Sequence, residues 1–140
     1  MWPVADGYMT ATMAGLRAAL IADATIGPML PGGVVDEPQS DIAFPYVRFG
    51  NLEVVEDDTD GTLGAIVQVG LEVHSRPVAG RTEAAQICET LATALHRNAI
   101  AVWIVEYLIT DILVQTWTVD RAKDGASYEG RIALEVHLDA

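Results

Sequence analysis

The stretch "LGAIVQVGLEVHS", residues 63–75, alternates in character from Val67 onward: Val67, Val69, Leu71 and Val73 share one phase, and Gln68, Gly70, Glu72 and His74 the other. Successive side chains leave a strand on opposite faces. A period of two therefore marks a strand with one face in a core and the other turned away from it. The closing stretch "YEGRIALEVHLDA", residues 128–140, repeats the pattern with Ile132, Leu134, Val136 and Leu138 in one phase. The tetrapeptide LEVH thus occurs twice, at 71–74 and 134–137. It places a glutamate two residues before a histidine each time.

Working outward, each of these strands has a partner upstream. "YVRFGNLEVV" (46–55) reads as a strand that turns through "EDDTDG" (56–61) into the first alternating stretch. "AVWIVEYLITDILVQTWTVDRA" (101–122) is β-rich but too long for one flat strand, and Thr110 and Asp111 mark a bulge or break. It turns through "KDGAS" (123–127), with Asp124-Gly125 at the tip. Two helices precede the two hairpins. Residues 8–23 place Met9, Met13, Leu16 and Leu20 on one stripe, and "GPMLPGG" ends that region because prolines and paired glycines cannot extend it. "VVDEPQSDIAFP" follows as a loop. Residues 82–97 form the second helix, with Thr82 as N-cap, Ala84, Ile87, Leu91 and Ala94 or Leu95 buried, and Asn98 as a left-handed stop. The order α-ββ-α-ββ predicts an α+β fold: a mainly antiparallel sheet from two β-hairpins, with both helices packed on one face.

Composition narrows the function. The 140 residues fit one domain, 1–140, with 1–12 as an N-terminal extension. Twenty acids against eight bases give a net charge of −12, the wrong sign for a surface that grips nucleic acid. Lys123 is the one lysine among those bases. The single cysteine, Cys88, excludes an internal disulfide, and its apolar helical setting reads as a buried, inert thiol. The N-terminus lacks a basic start and carries Asp6, so it does not read as a secretory signal, and no apolar run reaches the ~18 residues of a membrane span. The expectation is a soluble protein made in a cytoplasm.

Three arrangements invite a chemical reading. Glu72, His74, Glu135 and His137 offer donors for a metal-dependent enzyme, provided adjacent strands bring both pairs to one ion. The commoner reading is that these pairs are the outward faces of two half-buried strands, or part of a subunit interface. Glu56, Asp58, Asp60 and Gly61 match positions 1, 3, 5 and 6 of a calcium loop. Position 12, however, is Val67 rather than glutamate, and strands flank it instead of helices. Serines 40, 75 and 127 lie in loops or at strand ends without a nucleophile elbow, and "LPGGV" lacks the lysine of a phosphate loop. The sequence reads as a protein without catalysis, cofactor or bound metal.

The phrases "LRAALIADATIGPMLPGG", "FPYVRFG" and "IVQVGLEVHSRPVAGRTEAAQICETLATAL", followed by the closing strand pair, resemble the tail completion, or tail terminator, proteins of long-tailed bacteriophages and gene transfer agents. The likeness runs from about residue 13 to the end. It implies an α+β subunit of the virion that forms a ring, typically a hexamer, on the end of the tail tube. Such a ring stops tail polymerisation and joins tail to head or neck. Its implied partners are further copies of itself, the tube protein, connector or neck proteins, and DNA passing through without specific binding; no membrane is involved. A different neck adaptor or completion protein is the alternative within the virion. The family brings no catalytic residues. Here the acidic tip Glu56, Asp57, Asp58 and Asp60 is expected to line the channel or face a partner, and free hairpin edges to pair between neighbours.

Overall fold

The computed structural model describes residues 7–56, 64–76 and 81–139. Helix α1 (Tyr8–Ala22) is followed by a single helical turn, α2 (Ile26–Met29), and a two-residue strand, β1 (Val34–Val35). Strands β2 (Tyr46–Glu56) and β3 (Gly64–Ser75) pair antiparallel; helix α3 (Thr82–Leu95) follows, then antiparallel β4 (Leu108–Arg121) and β5 (Tyr128–Asp139). One sheet results, in the order β1-β2-β3-β5-β4, and the α+β reading with its two hairpins holds.

The two LEVH strands are neighbours at the centre of this sheet. Val67 pairs with Val136, Val69 with Leu134 and Leu71 with Ile132, so the apolar phases of β3 and β5 form one continuous surface. All six of these residues are at most 2% exposed. Leu16 and Leu20 of α1 and Ile87, Leu91 and Leu95 of α3 join the same core cluster. Burial on that scale, roughly 1.5–3 kcal/mol per large aliphatic side chain, is what holds helices to sheet.

Several local expectations change. The buried stripe of α1 is Ala11, Thr12, Gly15, Leu16 and Leu20; Met9 is exposed and Met13 only partly buried. The helix turns its small residues inward because residues 102–104 pass close by: a Cβ on Gly15 would lie 2.8 Å from Ile104 Cγ1 and 3.2 Å from the Trp103 carbonyl oxygen. Helix α1 begins at Tyr8, as the reading of residues 8–23 expected, so the last part of the segment 1–12 lies within it. Pro28 sits inside α2, at its third residue, where its missing N–H has no helical carbonyl to meet. The loop after it contains β1, which pairs parallel with Val47 and Arg48. Arg81 rather than Thr82 is the N-cap of α3, and Arg97 rather than Asn98 adopts the left-handed conformation after it. The expected break at Thr110 and Asp111 is present as a register shift, and further shifts occur between Val114 and Thr116 and between Phe49 and Leu52.

Candidate functional site

Among the described residues, the phase of the sheet opposite the helices gathers the histidine–glutamate pairs and the cationic and aromatic groups around them. Four cross-strand rows carry them: Tyr46–His74–Glu129–Asp120, Arg48–Glu72–Arg131–Thr118, Glu53–Gln68–Glu135–Leu113, and Val55–Ile66–His137–Asp111. Alternation put these residues here; the register decided which of them meet.

That register separates the two LEVH copies. Glu72 lies opposite Arg131, whereas Glu135 lies opposite Gln68, four residues further along β3, or about 13 Å at the usual rise. His137 lies opposite Ile66, eight residues from His74 and about 26 Å away. A zinc ion needs all its donors within ~2.0–2.3 Å, so the four residues cannot share one. Each pair closes on itself instead: His74 Nε2 is 3.1 Å from Glu72 Oε1, and His137 Nε2 is 3.2 Å from Glu135 Oε1. At this spacing on one face, glutamate and histidine satisfy each other.

The first pair does acquire a third candidate ligand that spacing could not reveal. Glu129 of β5 brings a carboxylate close enough that donor atoms of Glu72, His74 and Glu129 all lie within 4.8 Å of one another. Arg131 competes for that position, since its Nε donates to Glu129 Oε1 at 2.8 Å. A metal ion would have to displace the Arg131 guanidinium that already pairs with Glu129. The His74 ring also stacks on Tyr46, with centroids 4.9 Å apart, and Tyr46 meets Phe44 edge-on at 5.0 Å. The Arg76 guanidinium covers the Phe44 ring at 4.3 Å. Desolvation raises the Tyr46 phenol above its ordinary pKa, so it stays a neutral hydroxyl. The cluster reads as a packed, internally paired surface.

The other candidate groups are absorbed structurally. Burial pushes the Cys88 thiol up to about 11, with Glu89 adding to it, so no thiolate is available near neutrality. Ser75 donates to Glu83 Oε1 at 2.6 Å, tying the end of β3 to the first turn of α3. Ser127 donates to Asp124 in the β4–β5 turn. His96 Nδ1 accepts the Val114 N–H at 3.0 Å, next to the irregularity in β4. Of the acidic tip, Glu56 is exposed at the end of β2; Asp57, Asp58 and Asp60 lie outside the described residues.

One surface was not read from the sequence. Trp103, Val105 and Leu108 are 80%, 82% and 66% exposed, beside buried Val102, Ile104, Tyr107 and Ile109. The signal was present in "AVWIVEYLIT", which is apolar at its exposed as well as its buried positions apart from Glu106 and Thr110.

Comparison with known proteins adds three findings. The family model described as tail completion protein gp17 matches residues 14–139. No curated protein matches the chain. A chain from the virion of a native gene transfer agent particle is similar in structure, with a TM-score of 0.81 and 18% identity, covering 96% of this chain and 100% of that one. At that identity the likeness establishes the fold.

Proposed function

Given that this chain belongs to the tail completion protein gp17 family, and so is a structural protein of the virion tail, we propose that it assembles into a ring, a hexamer, that caps the tail tube. The ring ends tube polymerisation and presents a surface to the head–tail connector or neck. It works by shape, symmetry and docking rather than by chemistry. The observation that carries this reading is the family match over residues 14–139.

Within the ring, the tip Glu56, Asp57, Asp58 and Asp60 borders the channel or the tube beneath. A net charge of −12 per copy disfavours lodging of DNA phosphates during passage. The same charge keeps free subunits apart in the host cytoplasm before assembly. Deleting the protein while the other virion genes are expressed tests the termination role. The expected result is tubes of uncontrolled length unattached to heads; tubes of normal length, joined to heads, sink it. Electron microscopy of intact particles carrying an antibody-labelled copy locates it, and a label anywhere but the head-proximal end of the tail argues for another role.

A further inference from the structure

Residues 102–109 divide into a buried set and an exposed set, and both are apolar apart from the exposed Glu106. Val102, Ile104, Tyr107 and Ile109 are at most 8% exposed, while Trp103, Val105 and Leu108 stand out in solvent. The inner set has its partner in α1: Tyr8 stacks against Tyr107 at 4.8 Å, and Gly15 faces Ile104. The outer set has none among the described residues. From Ala99 to Thr110 the sequence carries a single charge, Glu106, in a chain with twenty acids. Where copies repel each other at −12 apiece, a surface nearly free of charge is where they can approach.

A second surface, of mixed polarity, lies further along, where β4 meets α3. Between α3 and β4 there is an open groove of about 430 Å³ lined by Ala92, Val114 and Trp117, the last 47% exposed, together with Glu89, Thr93 and His96. Leu108 is level with Asp139 of β5 and Trp117 with Ile132, seven residues away, so the two surfaces are about 23 Å apart along the sheet. Two different complementary surfaces on one chain define a head-to-tail contact, the kind that closes a cyclic ring. We infer that Trp103, Val105 and Leu108 of one copy seat in the α3–β4 groove of the next. This rests on the ring reading above and names the contact that makes the ring. The three side chains offer roughly 400 Å² to a partner, about half of the ~800 Å² per side typical of a stable interface. The outer edge of β4 lies in position to contribute the remainder.

The test places a photo-crosslinking benzophenone side chain at position 103 and irradiates assembled particles. The expected adduct joins two copies of this protein, with the cross-link in residues 89–96 or 114–117 of the second. A protein that enters particles but cross-links to another virion protein, to its own chain, elsewhere on a second copy, or not at all overturns this contact and leaves the tail reading standing. A protein absent from tails, whose deletion leaves tail length unchanged, overturns both. A Trp103→Glu, Val105→Asp double variant supplies the functional counterpart. Both positions are solvent-exposed, so its circular dichroism should match the parent while its incorporation into particles falls at least about tenfold. Incorporation at the parental level overturns the inference.

Discussion

Single side chains at the centre of the sheet have little freedom. Gly130 of β5 faces Cys88 of α3 so closely that a Cβ there would run into Cys88 Sγ, with Val73 Cβ at 3.3 Å behind it. Gly130→Ala should destabilise the fold by about 1–3 kcal/mol in urea denaturation, the usual cost of overpacking. Adding Cys88→Ala should recover much of that loss, because it empties the space the new methyl needs. Strictly additive costs would show that the two residues do not compete for one volume. Nothing in the sequence marked this pair. Cys88 was legible as a buried thiol from its helical neighbours, but which glycine made room for it depends on how α3 lies across β5. The same holds for Glu129 and Arg131, which sequence spacing left unremarked and which the register sets beside Glu72 and His74.

Elements were more legible than contacts, and their ends less so than their middles. Asp124-Gly125 was read as the hairpin tip, and the structure shows how it works. Asp124 Oδ1 accepts the N–H groups of Ala126 and Ser127 at 2.9 and 3.0 Å, and Gly125 takes a positive φ of 73°. The Ala126 N–H and then the Ser127 hydroxyl hold the Asp124 carboxyl below its ordinary value of 3.8. A carboxyl whose folded pKa is depressed contributes stability above its unfolded value and loses it as pH falls through the folded one. Asp124→Ala should therefore lower the melting temperature at about pH 6, and the gap from the parent should narrow below about pH 3. A gap that is constant across that range would mean the turn does not depend on the ionised carboxylate. Helix ends went differently. Thr82 and Asn98 were the better formers of caps, yet Arg81 and Arg97 occupy those positions, because tertiary packing sets where α3 must begin and stop. Arg97 donates its N–H to the Ile112 carbonyl and lies 3.4 Å from Asp111, contacts worth more than an intrinsic preference for asparagine.

At the scale of the whole molecule, the governing quantities are charge and exposed apolar surface. Like copies at −12 repel over a Debye length of about 10 Å in 0.1 M salt, while an apolar contact is indifferent to screening. Self-association should therefore strengthen between roughly 50 and 500 mM sodium chloride, read by sedimentation velocity or mass photometry. Association that weakens with salt would point to charge-paired interfaces instead, against a contact built on Trp103, Val105 and Leu108.

Alternation in residues 63–75 and 128–140 was enough to determine two half-buried strands. The helical periods before each hairpin determined the α-ββ-α-ββ order. These are local properties: a strand's two faces and a helix's stripe are written in consecutive residues. The family resemblance was legible for the same reason, in the run of elements and their local wording. What neighbours what was not. Only the tertiary structure made the two LEVH strands adjacent yet offset, which turned four prospective ligands into two self-satisfied pairs. Only packing revealed that the segment before β4 is covered on one side and bare on the other. Sequence periodicity fixes which residues share a face, but register and coverage are decided by pairings between distant residues, whose energies no local window contains.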